Sequence, residues 1–194
     1  MRKLTSPLGL TVQSIDEILA PYVKRAYEQN VEDIMRTAHY ITGGGNTQFD
    51  GERVHEVAME LVIKELVQGL QEMEIAFNTL PSSRGDFVFV TYTFGLGTDK
   101  WSRLVARKIM EVRNGGQGEA KVPMLFPKLV FLYDEELHDE GKPFREDFKY
   151  AVYCQSQTMF PDLLGLTGAS VENDANDVYK KYHVATSPIN KTVA

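Results

Sequence analysis

Phe87-Val88-Phe89-Val90-Thr91-Tyr92-Thr93-Phe94, followed by Gly95-Leu96-Gly97-Thr98-Asp99 and later by Lys128-Leu129-Val130-Phe131-Leu132-Tyr133, is the stretch on which the fold turns. Both apolar runs are rich in β-branched and aromatic residues, and neither carries a regular polar face. Each therefore predicts a strand covered on both sides, the condition found in parallel sheets. Between them Trp101, Leu104, Val105, Ile109 and Val112 recur at three- and four-residue intervals, and Gly115-Gly116 ends the run. That spacing predicts an amphipathic helix with a glycine cap. Strand, helix, strand over this length is a βαβ unit, whose crossover is right-handed and whose strands are parallel.

Upstream, Val54, Val57, Ala58, Leu61, Val62, Leu66, Leu70 and Met73 keep helical spacing and predict a long helix from Arg53 to Phe77. An earlier helix is predicted from Ser14 to Glu28, with Ser14 as N-cap and Glu17 three residues on. Pro21 is expected to kink or split it. The polar loop Thr42 to Thr47 separates the two helices. Downstream, Phe144 to Met159 predicts a helix stopped by Pro161, Asp177 to Tyr182 a weaker one, and Val184 to Thr186 the start of a strand. The chain reads as a single α/β domain. A helical region covers 1–52, the long helix, βαβ unit and following helices cover 53–188, and 189–194 is a frayed tail.

At 194 residues and 21.9 kDa the chain can bury a core of its own, and 43% hydrophobic with 25% charged residues is an ordinary globular balance. No apolar run is long enough to span a bilayer, so no membrane partner is expected. Twenty-one Lys and Arg against 27 Asp and Glu give a net charge of −6. That balance argues against a nucleic-acid surface and leaves room for a local pocket for a small phosphate ligand. A single cysteine excludes an internal disulfide framework and a cysteine-built metal cluster. The opening Met1 to Pro7 carries no signal-peptide pattern, so a cytoplasmic location is expected.

Few segments suggest chemistry. Gly95 to Asp99 lies between strand and helix, where backbone N–H groups can hold phosphate, but the third glycine of a dinucleotide fingerprint is missing. Gly115-Gly116-Gln117-Gly118 reads as a helix cap and turn, and Gly43 to Gly45 lacks the context of a P-loop. Asp134-Glu135-Glu136-Leu137-His138-Asp139-Glu140 reads as a solvated acidic turn rather than a cation site. His39, His55 and His183 show no metal-ligand spacing. Cys154 lies mid-helix among apolar neighbours and reads as a buried structural thiol, so no catalytic residue is assigned. Asn78 to Asp86 gathers hydroxyls, an amide, a guanidinium and a carboxylate, equally consistent with a capped loop and with a ligand contact.

Taken in order, Leu19-Ala20-Pro21-Tyr22-Val23, Phe77-Asn78-Thr79-Leu80, Ser82-Ser83-Arg84-Gly85, Thr93-Phe94-Gly95, Gly97-Thr98-Asp99, Leu125-Phe126-Pro127-Lys128 and Met159-Phe160-Pro161-Asp162 resemble the class III anaerobic ribonucleoside-triphosphate reductases. The resemblance runs from about Thr5 to Pro188. It implies part of a parallel α/β barrel of the ribonucleotide reductase and glycyl-radical type. It also implies reduction of a ribonucleotide to a deoxyribonucleotide through a glycyl radical and a cysteine thiyl. Formate or a thiol system would be reductant, nucleoside triphosphates the effectors, and an iron–sulfur S-adenosylmethionine enzyme the activator. The assembly implied is a homodimer, or a partner chain carrying the rest of the reductase. With the loop analysis it assigns Asn78, Ser82, Ser83, Arg84, Gly85, Gly97 and Thr98 to nucleotide binding.

The sequence departs from that family after Ser187-Pro188, where Ile189-Asn190-Lys191 stands in place of the Gly-Cys-Arg that carries the radical cysteine. The zinc-binding cysteines and the glycyl-radical loop are likewise unmatched. The expectation is an internal portion of a reductase that lacks the radical residues and is inactive alone. The alternatives are a non-catalytic nucleotide-binding or dimerisation module and an inert remnant. The two apolar strands are further expected to expose an unpaired edge and to drive association with another chain.

Overall fold

Strands and helices alternate through residues 9–41, 50–79 and 89–166, which the computed structural model describes. In chain order they are β1 (Gly9–Val12), α1 (Ile15–Ile41), α2 (Gly51–Thr79), β2 (Phe89–Phe94), α3 (Lys100–Gly115), β3 (Lys128–Tyr133), α4 (Glu135–His138), α5 (Arg145–Thr158) and β4 (Asp162–Gly165). The predicted βαβ unit is β2, α3 and β3, with Tyr92 opposite Leu129 and Phe94 opposite Phe131 in a parallel pair. β1 joins β2 in parallel and β4 joins β3 in parallel, so the sheet order is β1-β2-β3-β4.

That order follows from where the helices lie. Val90, Tyr92 and Phe94 of β2 and Leu129 and Phe131 of β3 point to one face. There they pack with Ile15 and Val23 of α1, Val62 and Leu70 of α2, Val105 and Ile109 of α3, and Ala151 and Cys154 of α5. When every crossover is right-handed and every helix covers the same face, each new strand must be added at the same edge. A sheet whose helices changed face would reverse direction and create a switch point for a dinucleotide. None arises among the described strands, which agrees with the incomplete glycine fingerprint. The second face carries Val130 and Leu132 with Leu96, Leu164 and Leu166, and the buried Thr91 and Thr93.

Several expectations change. β2 and β3 are central strands, flanked by β1 and β4, and among the described strands the outer places belong to those two four-residue strands instead. β2 is buried from Val90 to Phe94, while Phe89 at its amino end is 60% exposed, with its ring against the edge of Phe126. α1 runs unbroken through Pro21 as far as Ile41. Pro21 lies on the exposed side, where water can take the Glu17 carbonyl that the ring leaves without an N–H. All the buried residues of α1 fall within its first nine positions, Ile15 to Val23. Ser14 stands at the head of α1 and its carbonyl accepts from Ile18 N–H, but its side chain caps nothing. With φ at 45° its backbone N–H turns to Thr93 Oγ1 at 3.0 Å, and its buried Oγ has no partner. Gly116, at φ 68°, closes α3 as predicted. The segments 177–182, 184–186 and 189–194 lie outside the described residues.

The amino edge of the sheet is fastened by a buried charge pair. Arg113 Nε donates to Glu74 Oε1 at 2.8 Å, Gln117 Nε2 donates to Glu74 Oε2 at 3.0 Å, and Arg113 Nη2 donates to the Pro127 carbonyl at 2.7 Å. This ties the end of α3 and the segment entering β3 to α2. Removing one member leaves the other charged, buried and alone, which typically costs about 3–5 kcal/mol. Glu74→Ala and Arg113→Ala should each lower unfolding stability in urea by about that much, while the double variant should cost clearly less than their sum. Single losses below about 1 kcal/mol would show that the pair is solvated.

Candidate functional site

Ligands of parallel α/β sheets gather at the carboxyl ends of the strands, because the loops there are free to vary while the sheet holds them in place. At that edge β2 passes into Gly95-Leu96-Gly97-Thr98-Asp99 and then α3. Gly95 has φ 115°, and a Cβ there would lie 3.0 Å from the Phe131 ring and 3.1 Å from the Leu132 carbonyl. Gly97 is equally constrained, since a Cβ would come 2.3 Å from Ser102 Cβ and 3.2 Å from Asp16 Oδ2. Asp99 caps α3. Its Oδ1 accepts from the N–H groups of Trp101 at 2.8 Å and Ser102 at 3.2 Å, and its Oδ2 accepts from the Ser102 hydroxyl. Burial works to raise the Asp99 carboxyl, and the donors from Ser102 and Trp101 outweigh it and lower it. An anionic carboxylate thus holds the helix terminus where a phosphate would sit.

Two titratable side chains lie behind this loop, each 1% exposed. Asp16, in the first turn of α1, accepts from Gly95 N–H at 3.0 Å through Oδ2, while Oδ1 has no partner. Burial pushes its carboxyl up to about 6, against the opposing pull of the Gly95 and Glu17 N–H groups. His138 accepts from Asp134 N–H at Nδ1, 3.1 Å away, and stacks among Phe131, Tyr133 and Phe148. Burial lowers its affinity for a proton, opposed chiefly by the Asp147 charge. This corrects the solvated-turn reading for His138 alone. Asp134 caps α4 by accepting from Glu136 N–H at 2.9 Å, and Glu135, Glu136, Asp139 and Glu140 remain exposed. One helical turn inside the acidic run is enough to send the histidine inward.

The cavity bordered by Asp16, Gly95, Gly97, Arg103 and Asp147 measures about 10 Å³, too small for anything beyond about one water. An open groove of about 380 Å³ lies between α1 and the start of α3. Its lining includes Glu17, Pro21, Lys24, Asp99, Trp101 and Ser102, and it is of nucleotide scale. Lys24 and Trp101 escape notice in the sequence because only the α1–α3 packing brings them together.

The seven assigned residues do not form one cluster. Gly97 and Thr98 stand at the carboxyl edge, Gly97 buried and Thr98 exposed. Asn78 stands at the amino edge, separated from them by the length of β2, about 16–20 Å. Its amide is fully engaged: Nδ2 donates to the Glu74 and Phe126 carbonyls at 2.7 and 2.6 Å, and Oδ1 accepts from Leu125 and Phe126 N–H at 3.2 and 3.1 Å. Ser82, Ser83, Arg84 and Gly85 lie outside the described residues. Cys154 is buried in α5 within the core, and that burial raises its thiol. Among the described residues no group of three or more His, Cys, Asp or Glu is arranged to hold a metal ion, and no helix is long and apolar enough to cross a membrane.

Compared with known proteins, residues 9–187 match the family model of the anaerobic ribonucleoside-triphosphate reductases. The reductases of Haemophilus influenzae and Escherichia coli are each 34% identical to the chain over 157 residues, which is 80% of the chain and 20% of theirs. That of Enterobacteria phage T4 is 33% identical over 170 residues, 84% of the chain and 26% of its own. The chain therefore spans only about a fifth to a quarter of the length of these relatives.

Asp16 makes the pH dependence of folding testable. With a folded value near 6 against an ordinary 3.8, the native state holds a proton that the unfolded chain has released between those limits. Its contribution is therefore greatest below about pH 4 and is lost as pH rises through 6. The shift corresponds to about 3 kcal/mol. Wild-type stability relative to Asp16→Asn should fall by an amount of that order from pH 4 to pH 7 in urea titrations. A difference independent of pH would mean that Asp16 is hydrated.

Proposed function

We propose, from the premise that this chain belongs to the anaerobic ribonucleoside-triphosphate reductase family, that it forms one side of the reductase barrel and presents a nucleotide at the carboxyl ends of its strands. The observation that carries this reading is the winding of the sheet. Four parallel strands in sequential order, with α1, α2, α3 and α5 on one face, are how a barrel wall is built. The face on which none of the described helices lies, with Thr91, Thr93, Val130 and Leu132, then becomes the interior.

Thr98 and the groove over Trp101 are the described surface that suits a nucleotide. The indole offers a face for a base and Lys24 a cation, while the Glu17 and Asp99 carboxylates disfavour phosphates at that spot. Arg84, able to donate two parallel hydrogen bonds, remains the proposed phosphate contact, with Ser82, Ser83 and Gly85 beside it. Asn78 serves that segment by fixing the end of α2. Radical chemistry on the ribose needs an accessible thiol. Cys154, the chain's one cysteine, does not fit that role, because it is buried in α5 and its thiol is raised. In this reading the radical cysteine and glycine, the zinc cysteines and the formate or thiol reductant act from other segments or a partner chain. The full assembly is a cytoplasmic homodimer served by an iron–sulfur S-adenosylmethionine activating enzyme and controlled by nucleoside triphosphates. The burial of Cys154 also favours a second reading, a nucleotide-binding or dimerisation module without chemistry of its own.

Calorimetric titration of ribonucleoside triphosphates separates these ideas. Arg84→Ala and Trp101→Ala are each expected to weaken binding about tenfold. Equal affinity in all three proteins, or binding by none, removes the nucleotide site. In an anaerobic assay with activating enzyme, S-adenosylmethionine and formate, the chain by itself should yield no deoxyribonucleotide. Turnover that Cys154→Ser abolishes would restore Cys154 as the radical carrier.

A further inference from the structure

The groove between α1 and α3 has two ends of opposite charge. Glu17, Ala20, Pro21 and Lys24 follow one another along a single stripe of α1, at spacings of three and four residues, and all line it. Glu17 and Lys24 are two helical turns apart, about 10 Å along the axis. One end therefore carries a carboxylate and the other an ammonium, with only the small apolar Ala20 and Pro21 between them. That span is comparable to the distance from the pairing edge of a purine to the first phosphates of its nucleotide.

Across the groove stands Trp101, whose indole is braced from outside it. The Tyr27 ring, from α1, meets the indole with 5.1 Å between centroids, and its hydroxyl is hydrogen bonded to His55 Nδ1 of α2 at 2.7 Å. The Lys100 ammonium, from α3, lies 4.9 Å from the indole centroid. Tyr27, His55 and Lys100 do not line the groove; Trp101 does. An aromatic wall held in place before a ligand arrives suits a planar base.

The two carboxylates of the groove are not equivalent. Both oxygens of Asp99 are engaged at the head of α3, by Trp101 N–H, Ser102 N–H and the Ser102 hydroxyl. Glu17 is half-buried, and its carboxylate makes no hydrogen bond or ion pair among the described residues. A carboxylate offers acceptors alone. Guanine presents two adjacent donors, N1–H and the exocyclic N2 amine, which a carboxylate can take in two parallel bonds. Adenine sets a lone pair beside its amine, cytosine does the same, and uracil flanks its single N–H with two carbonyls. Each of these brings a lone pair against the carboxylate, so the wrong base is repelled as well as unpaired.

We propose that Glu17 is the specificity-determining residue of this groove, taking the pairing edge of a guanine nucleotide stacked on Trp101 while the phosphates lie at Lys24. The base and its orientation rest on the nucleotide reading of the preceding subsection. Lys24 is available for phosphates, because its partner Glu28 is a neighbour on the same helix at 3.8 Å and both side chains are more than half exposed.

The test uses the whole 194-residue chain, whose single tryptophan makes its fluorescence a probe of this groove, with GTP, ATP and guanosine as ligands. GTP should quench Trp101 and bind at least tenfold tighter than ATP. Glu17→Gln puts a donor beside an acceptor, which matches the edge of adenine. GTP should therefore weaken at least tenfold while ATP tightens, reversing the preference. Lys24→Gln should weaken GTP and ATP by the same factor and leave guanosine within twofold. A merely structural role for Glu17 would move GTP and ATP together, and that result overturns the proposal. So does equal affinity of the wild type for GTP and ATP, calorimetric binding that leaves Trp101 fluorescence unchanged, or a loss of guanosine binding in Lys24→Gln as large as that of GTP. If Glu17→Gln does not fold, the wild-type preference and Lys24→Gln still decide the matter. If neither triphosphate binds, the nucleotide reading itself fails; binding without preference for guanine removes the role of Glu17 alone.

Discussion

A parallel sheet needs cover on both faces, because its strands are apolar on both, and here α1, α2, α3 and α5 all lie against the same one. From this one-sidedness comes the sequential strand order, since right-handed crossovers on a single face can only extend the sheet one way. From it also comes the division of labour between the edges. Crossover helices return the chain to the amino edge, where Glu74, Arg113 and Gln117 secure it with a buried charge pair. The loops that leave the strands stand at the other edge, where Asp16 accepts from the Gly95 N–H.

The two polar clusters differ in kind. At the amino edge a carboxylate faces a guanidinium, the charges offset one another, and Asn78 saturates the nearby backbone groups. At the carboxyl edge the Asp16 carboxyl and the His138 ring are each buried without a charged partner bonded to them, and burial presses each toward its neutral form. The first arrangement fixes a segment through opposite charges. The second fixes its segments through single directed hydrogen bonds, from Gly95 N–H to Asp16 and from Asp134 N–H to His138, at a cost in desolvation.

Legibility in the sequence followed the strength of local periodicity. β2, α3 and β3 could be read because unbroken apolar runs and a three-and-four repeat leave few alternatives, and α2 because its stripe persists to Met73. β1 and β4, four residues each, are too short to carry a period. α1 was read only to Glu28, since beyond Val23 no position is fully buried and the apolar signal fades. The site was harder still. Asp16 looks like any acidic residue in a first helical turn, and His138 hides among five carboxylates; the first acquires meaning only when Gly95 N–H is brought to it, the second when α4 turns it against Phe131. Asn78 and Thr98, grouped by chemistry and resemblance, stand at opposite ends of one strand.

The length of α1 has a mechanical side. Its 27 residues extend about 40 Å, and its buried residues lie between Ile15 and Val23, with Ala26 and Tyr27 packed against the same core just beyond them. Tyr40 and Ile41, 77% and 80% exposed, stand at the other end of the rod. The seated end carries Asp16, and hence the Gly95 loop. Any tilt of this helix is therefore felt at the Gly95 loop, which hangs on its first turn.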